Sequence, residues 1–151
     1  MSSNIALGLK HAGDTHKNRP AVALGRTTLQ SYAQLAGRAA RLAAGLRDKL
    51  GLQPGDRVVI ASKNRPEYVE AMYGVWWGGF AAVPANAKLH GVEFRYILEN
   101  SGARACLVGP ELFEAIAEHR PDSLEHLVVL GGDAYAALFD ADPARLAEVD
   151  A

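Results

Sequence analysis

The sequence predicts an α/β fold: a layered, mostly parallel sheet flanked by helices. Short apolar runs rich in β-branched residues recur at Arg57–Ala61, Ala105–Val108 and His126–Leu130, each the length of a strand covered on both faces. Between them lie segments with the apolar spacing of amphipathic helices. The stretch Arg57–Asn86 (RVVIASKNRPEYVEAMYGVWWGGFAAVPAN) reads as strand, helix, strand, with links so short that a parallel pair with a right-handed crossover is favoured.

Ile5 to about His16 is expected to be a helix with Ile5, Leu9 and Ala12 on one side, stopped at Asn18-Arg19-Pro20, where proline prevents continuation. Ala21–Leu24, the Gly25-Arg26 link and Thr27–Leu29 form a hairpin pattern. Ser31 and Gln34 have capping-box spacing and open a long helix with Tyr32, Leu35, Ala39, Leu42 and Leu46 on its apolar face, ending at Gly51. Its arginines, Arg38, Arg41 and Arg47, fall mostly elsewhere and read as a solvated face. Gln53-Pro54-Gly55-Asp56 is a type II turn signal, with Pro presetting φ and Gly supplying a positive one.

The helix of the strand–helix–strand unit should begin near Pro66, with Glu67 beside the positive end of its dipole. Tyr68, Ala71, Met72, Val75 and Trp76 make its buried stripe, so Trp76 is expected in the core and Trp77 over the helix end; a ligand wall is the sharper alternative for the pair. Gly78-Gly79 stops the helix before a strand at Phe80–Val83, and Pro84–Leu89 is a turn-rich link. Gly91 to about Asn100 should be helical with Val92, Tyr96 and Ile97 inward, closed by Ser101-Gly102. A short helix is expected over Glu111–Glu118. Residues 1–132 thus form the α/β unit, and residues 133–151, acidic and Ala-rich, are expected to be a weakly ordered tail.

Composition removes several classes of function. Hydrophobic residues make up 49% and charged ones 22%, a globular balance, and 16 Lys+Arg against 17 Asp+Glu leave a net charge of -1, with nothing to draw the chain to nucleic acid or an anionic membrane. The most apolar run, Ala71–Ala85, is shorter than the roughly 20 residues of a membrane span and is broken by glycines and Pro84. One cysteine, Cys106, excludes an internal disulfide, and the opening MSSNIALGLKHAGD lacks the pattern of a signal peptide, so a cytoplasmic location is expected.

The motifs of common chemistries are missing. His11, His16, His90, His119 and His126 show none of the spacings that gather ligands around zinc, so no metal site is expected. Neither a G-x-G-x-x-G turn nor a Walker phosphate loop is present. Gly131-Gly132 lacks a nearby Lys or Ser/Thr and reads as a plain turn, and Cys106, in an apolar strand, reads as a small core hydrophobe. No catalytic residue is expected within the chain.

Four motifs in fixed order are nevertheless specific together: Ser31-Tyr32-x-Gln34-Leu35, Gly55-Asp56-Arg57-Val58, Asn64-Arg65-Pro66-Glu67 and Gly79-x-x-x-x-Pro84-x-Asn86-x-Lys88-Leu89. Over nearly its whole length the chain resembles the N-terminal portion of the adenylate-forming (AMP-binding) acyl-CoA synthetases. It departs from the family at Gln34, usually acidic, at Gln30, usually apolar, and at Gly78, usually larger.

The resemblance implies ATP- and Mg²⁺-dependent activation of a carboxylate to an acyl-adenylate, followed by transfer to the thiol of CoA. It also implies that the phosphate-binding loop, the adenine-binding region and the catalytic lysine lie in later sequence, the tail leading toward that loop. The expectation is therefore an N-terminal fragment of an ATP-dependent acyl-CoA ligase for fatty or other hydrophobic acids, inactive alone. Its partner is the remainder of the synthetase chain, and truncation is expected to expose an apolar patch that promotes self-association. Only Lys88 falls on a position with a ligand role in the family, a contact to the CoA phosphates; a solvated lysine on a turn is the alternative. The competing reading of the whole is a stand-alone, noncatalytic α/β binding or assembly module derived from that family.

Overall fold

The structure, a computed structural model, describes residues 2–150. Its centre is a four-stranded parallel sheet in the order β4 (Ala81–Ala85), β3 (Arg57–Ala61), β5 (Ala105–Val108), β6 (His126–Val129). The Gln53–Asp56 turn forms as its sequence dictates: Gly55 takes φ +87° and the Asp56 N–H donates to the Gln53 carbonyl at 2.9 Å. It launches β3, whose neighbours meet it in register, Val59 opposite Val83 on one side and Cys106 on the other. Pro84 is tolerated inside β4 because β4 is an edge strand, where a missing N–H breaks no second ladder.

Alternation along the strands divides the core. Val58, Ile60, Ala105 and Leu107 pack with Leu42 and Leu46 of α2 (Tyr32–Asp48), Ala71 and Val75 of α3 (Pro66–Trp77), and Tyr135 and Leu138 of α6 (Asp133–Leu138). Val59, Ala61, Cys106 and Val108 pack on the opposite face with Phe94 and Leu98 of α4 (Gly91–Ser101) and Ile116 of α5 (Phe113–Glu118). A third cluster joins α1 (Ala6–Thr15) and the antiparallel hairpin β1 (Pro20–Leu24) and β2 (Thr27–Ser31) to the far side of α2 and α3. The capping box of α2 closes reciprocally: the Gln34 N–H donates to Ser31 Oγ (3.3 Å) and the Ser31 N–H to Gln34 Oε1 (2.8 Å).

Three helix faces differ from expectation. In α1 the buried residues are Ala6, Leu9 and Gly13, and Ile5 is exposed, because α1 lies so close to α2 that a Cβ on Gly13 would sit 2.9 Å from Ala36 Cβ. Small residues, not large ones, mark that interface. In α4 the inward stripe is Phe94 and Leu98, while Val92 and Tyr96 face solvent, 67% and 66% exposed, and Ile97 is half-buried. In α3 the core tryptophan is Trp77, 6% exposed and donating from Nε1 to the Ala144 carbonyl at 2.9 Å; Trp76 is half-buried, edge-on to Tyr73. The helix is covered on two faces, by the sheet and by α1 and α2, and its end turns Trp77 into the second.

Residues 133–150, the described part of the segment 133–151 expected to be a weakly ordered tail, contain α6 and then a stretch without regular secondary structure that returns across the helices. The Ala144 and Ala147 N–H groups donate to the Ala40 and Trp77 carbonyls, and Ser3 N–H to Val149 O. Met1 and Ala151, the outer bounds of the two expected segments, lie outside the described residues.

Candidate functional site

Helix α3, which follows β3, packs on one face of the sheet and α4 and α5, which follow β4 and β5, on the other, so the connections diverge around the carboxyl end of β3, the place where α/β sheets open a crevice for ligands. The loop after β3, Ser62–Arg65, stands there. Ser62 is buried, the Lys63 N–H donates to Glu111 Oε1 at 2.8 Å from the loop after β5, and Arg65 Nε donates to Glu67 Oε2 at 3.0 Å. The Lys63 N–H holds the Glu111 carboxyl below the usual range against a smaller opposing effect of burial. For Glu67 burial is the largest effect and works against the charge, but the Arg65 hydrogen bond, the residue's own backbone N–H and the nearby arginine charges together outweigh it, and the carboxyl again stays low. Both carboxylates are therefore committed to groups of the loop itself.

On the β4 side the same loop borders an open cleft of about 480 Å³, lined also by Tyr68 and by Ala85–Lys88. Lys88 sits in a turn built by Asn86, whose Oδ1 accepts the Lys88 N–H at 3.0 Å and whose carbonyl accepts the Leu89 N–H at 3.2 Å. Its side chain is exposed, and among the described residues neither Lys63 nor Lys88 has a carboxylate within 4 Å. The amino end of the sheet is different: there Arg104 bridges Asp56 (2.7 Å) and Glu125 (2.8 Å), leaving its charges paired.

The remaining candidates resolve into structure. Cys106 is fully buried, which pushes its thiol up to about 12. Gly131 takes φ +77° in the turn between β6 and α6. His126 Nε2 lies 2.9 Å from the Leu50 carbonyl, His119 Nδ1 3.0 Å from that of Ala115, and the His90 N–H is capped by Glu93. Among the described residues no three His, Cys, Asp or Glu side chains converge as metal ligands. No described helix is long and apolar enough to cross a membrane.

One constellation was not anticipated. Glu70 of α3, 1% exposed, accepts from Tyr135 Oη (2.7 Å), Gln30 Nε2 (3.0 Å) and both Nε and Nη2 of Arg38, whose guanidinium lies 4.0 Å over the Phe139 ring. Burial, then the Glu70 charge, drives the Tyr135 hydroxyl far above its ordinary value, so it stays a donor. Arg38 is thus not merely part of a solvated face. The network ties β2, α2, α3 and α6 and is structural, since its carboxylate is enclosed and its donors are spent on it.

The sequence profile of the AMP-binding enzymes matches residues 9–148. This chain belongs to that family. It is 35% identical over 127 residues to a benzoate–CoA ligase of Thauera aromatica, covering 76% of this chain and 24% of the relative. It is 37% identical over 123 residues to a medium/long-chain-fatty-acid–CoA/3-oxocholest-4-en-26-oate–CoA ligase of Mycobacterium tuberculosis, covering 82% and 22%. The crystal structure of the inhibitor-bound N-terminal domain of FACL13 from the same organism superposes with a TM-score of 0.86 at 27% identity, over 100% of this chain and 38% of that one. The chain spans about a quarter of the length of these curated relatives.

Proposed function

We propose that the chain is the N-terminal portion of an ATP-dependent acyl-CoA ligase acting on a hydrophobic carboxylate, and that alone it is inactive. The observation that carries this is the family match over residues 9–148 combined with coverage of only 24% of a benzoate–CoA ligase and 22% of a fatty-acid–CoA ligase. Relatives named for aromatic and for fatty acids support an apolar acid as substrate. In this reading ATP, Mg²⁺ and the acyl group are held by the remainder of the synthetase, the chain's partner, and the enzyme works in the cytoplasm. A surface left uncovered, including Val92 and Tyr96 of α4, promotes self-association when the chain is alone.

Lys88 contributes a point charge to the phosphates of CoA, its stem set by the Asn86 turn and its head free of any carboxylate. The product of the complete reading frame tests the proposal. Carboxylate-dependent pyrophosphate exchange with benzoate-like or fatty acids is expected, with Lys88→Ala raising the CoA KM and leaving exchange unchanged. A reading frame that closes at codon 151, or a product without exchange on any such acid, would overturn the ligase reading. An unchanged KM would return Lys88 to a solvated lysine.

A further inference from the structure

We propose that residues 141–149 form a strap that lifts from the helices as one unit while the sheet and its helix layers stay folded, and that Asn4 is its latch. This holds whatever reaction the chain serves.

The strap is held by hydrogen bonds rather than by burial. Phe139 is buried against the core, but beyond it none of the side chains from Ala141 to Val149 is. The backbone is instead tied down at Ala141, Ala144 and Ala147. The Ala141 carbonyl accepts from Arg41 Nη1 at 2.8 Å. The Ala144 N–H donates to the Ala40 carbonyl of α2 at 3.0 Å, and the Ala144 carbonyl accepts from Trp77 Nε1. The Ala147 N–H donates to the Trp77 carbonyl at 2.9 Å, and the Ala147 carbonyl accepts from Asn4 Nδ2 at 3.0 Å. Packing beneath the strap is incomplete: a hollow of about 220 Å³ lies between Ala144–Ala147 and Ala43, Pro54 and Phe80, its lining apolar apart from Arg47 and Arg145. A segment with no buried side chain and a hollow under it opens at a lower free energy than strands buried on both faces.

Asn4, 6% exposed, joins three elements. Its Oδ1 accepts the N–H of Ala6, the first residue of α1, at 2.9 Å, while Nδ2 donates to the Trp76 carbonyl near the end of α3 (2.7 Å) and to the Ala147 carbonyl of the strap. These bonds fix which way the amide faces, since turning it would set Nδ2 against an N–H and Oδ1 against two carbonyls. Beside it the Ser3 N–H donates to the Val149 carbonyl at 2.8 Å and the Val149 N–H to Ser2 Oγ at 3.3 Å. The far end of the strap is thus closed by Ser2–Asn4, which belongs to no strand or helix. An aspartate in place of Asn4 would keep the acceptor for α1 and have nothing to donate to the strap.

Amide hydrogen exchange of the chain, followed by nuclear magnetic resonance, tests this. In the unaltered chain the amides of Ala144, Ala147 and Val149 and the indole N–H of Trp77 should exchange through one shared opening, faster than Ile60 and Leu107 in the sheet. Asn4→Asp should speed exchange at these four strap probes together by about fivefold or more, the worth of at least one hydrogen bond, and leave Ala6, Ile60 and Leu107 unchanged. Strap probes that exchange only together with Ile60 and Leu107, acceleration at Ala147 without Ala144, or an Asn4→Asp effect that reaches Ile60 and Leu107 equally would overturn the strap as a separate unit. Strap exchange unchanged by Asn4→Asp would overturn Asn4 as its latch.

Discussion

Replacing Glu70 by alanine removes the acceptor on which donors from β2, α2 and α6 converge. Three costs follow. The Tyr135 hydroxyl, on a residue 2% exposed, is left without a partner, which costs about 1–3 kcal/mol. Gln30, whose Oε1 is already buried without a partner, also loses the acceptor for its Nε2. The packing of the lost methylene groups adds about 1 kcal/mol. Against this, the Arg38 side chain is 44% exposed and can be rehydrated while keeping its place over Phe139, so the change belongs at the low end of the range for breaking a buried pair, about 3 kcal/mol. Tyr135→Phe, which leaves the Arg38 and Gln30 bonds, should cost about 1.5 kcal/mol. The double variant should be less destabilised than the sum of the singles by about 1 kcal/mol, because the residues share one hydrogen bond. Urea unfolding read at a constant m-value measures all three. A Glu70→Ala cost under about 0.5 kcal/mol, the ordinary surface range, or strict additivity in the double variant would refute the network as an energetic unit.

The tryptophan pair gives a second comparison: Trp77→Ala should destabilise by about 3–5 kcal/mol, and Trp76→Ala by clearly less, in the same unfolding experiment. The reverse order would contradict the observed burial. Acid stability gives a third. Burial opposes the charge of Asp56, but donation from the Gln53 N–H and from Arg104 outweighs it and holds the carboxyl below its unfolded value near about 4. Its contribution is therefore complete above that value and lost as pH falls through the folded one, so Asp56→Asn should flatten the loss of stability below about pH 4. An unchanged acid limb in pH-dependent unfolding would show that Asp56 plays no part in it.

The strands and caps were legible because local chemistry decides them. Arg57–Ala61 begins where Pro54-Gly55 reverses the chain, and Ser31 with Gln34 closes its box whatever packs nearby. Helix faces were less legible where two stripes compete. In α4, Val92 with Tyr96 and Phe94 with Leu98 have the same spacing, and only the position of the helix over the sheet selects the second. In α1 and α3 close helix contact selects Ala6, Gly13 and Gly74, which hydrophobicity does not mark; a Cβ on Gly74 would lie 2.5 Å from Leu42 Cδ2. Glu70 was hidden for the opposite reason: one carboxylate in an amphipathic pattern reads as surface, and its partners come from 32, 40 and 65 residues away. At the cleft, Lys88 was marked by its motif, whereas Lys63 acquires its place only when β3 and β4 pair in parallel.

The central proposal is that the nucleotide chemistry of the proposed ligase is supplied by residues outside these 151, whose sequence holds no glycine-rich phosphate loop. Titration calorimetry of the isolated chain with Mg·ATP, paired with pyrophosphate release across several fatty and aromatic acids, tests it most directly. A cooperatively folded chain with no saturable Mg·ATP heat at micromolar concentration and no carboxylate-dependent pyrophosphate is predicted. Micromolar Mg·ATP binding, or turnover with any of the acids, would contradict the account and locate an adenylating site within these 151 residues.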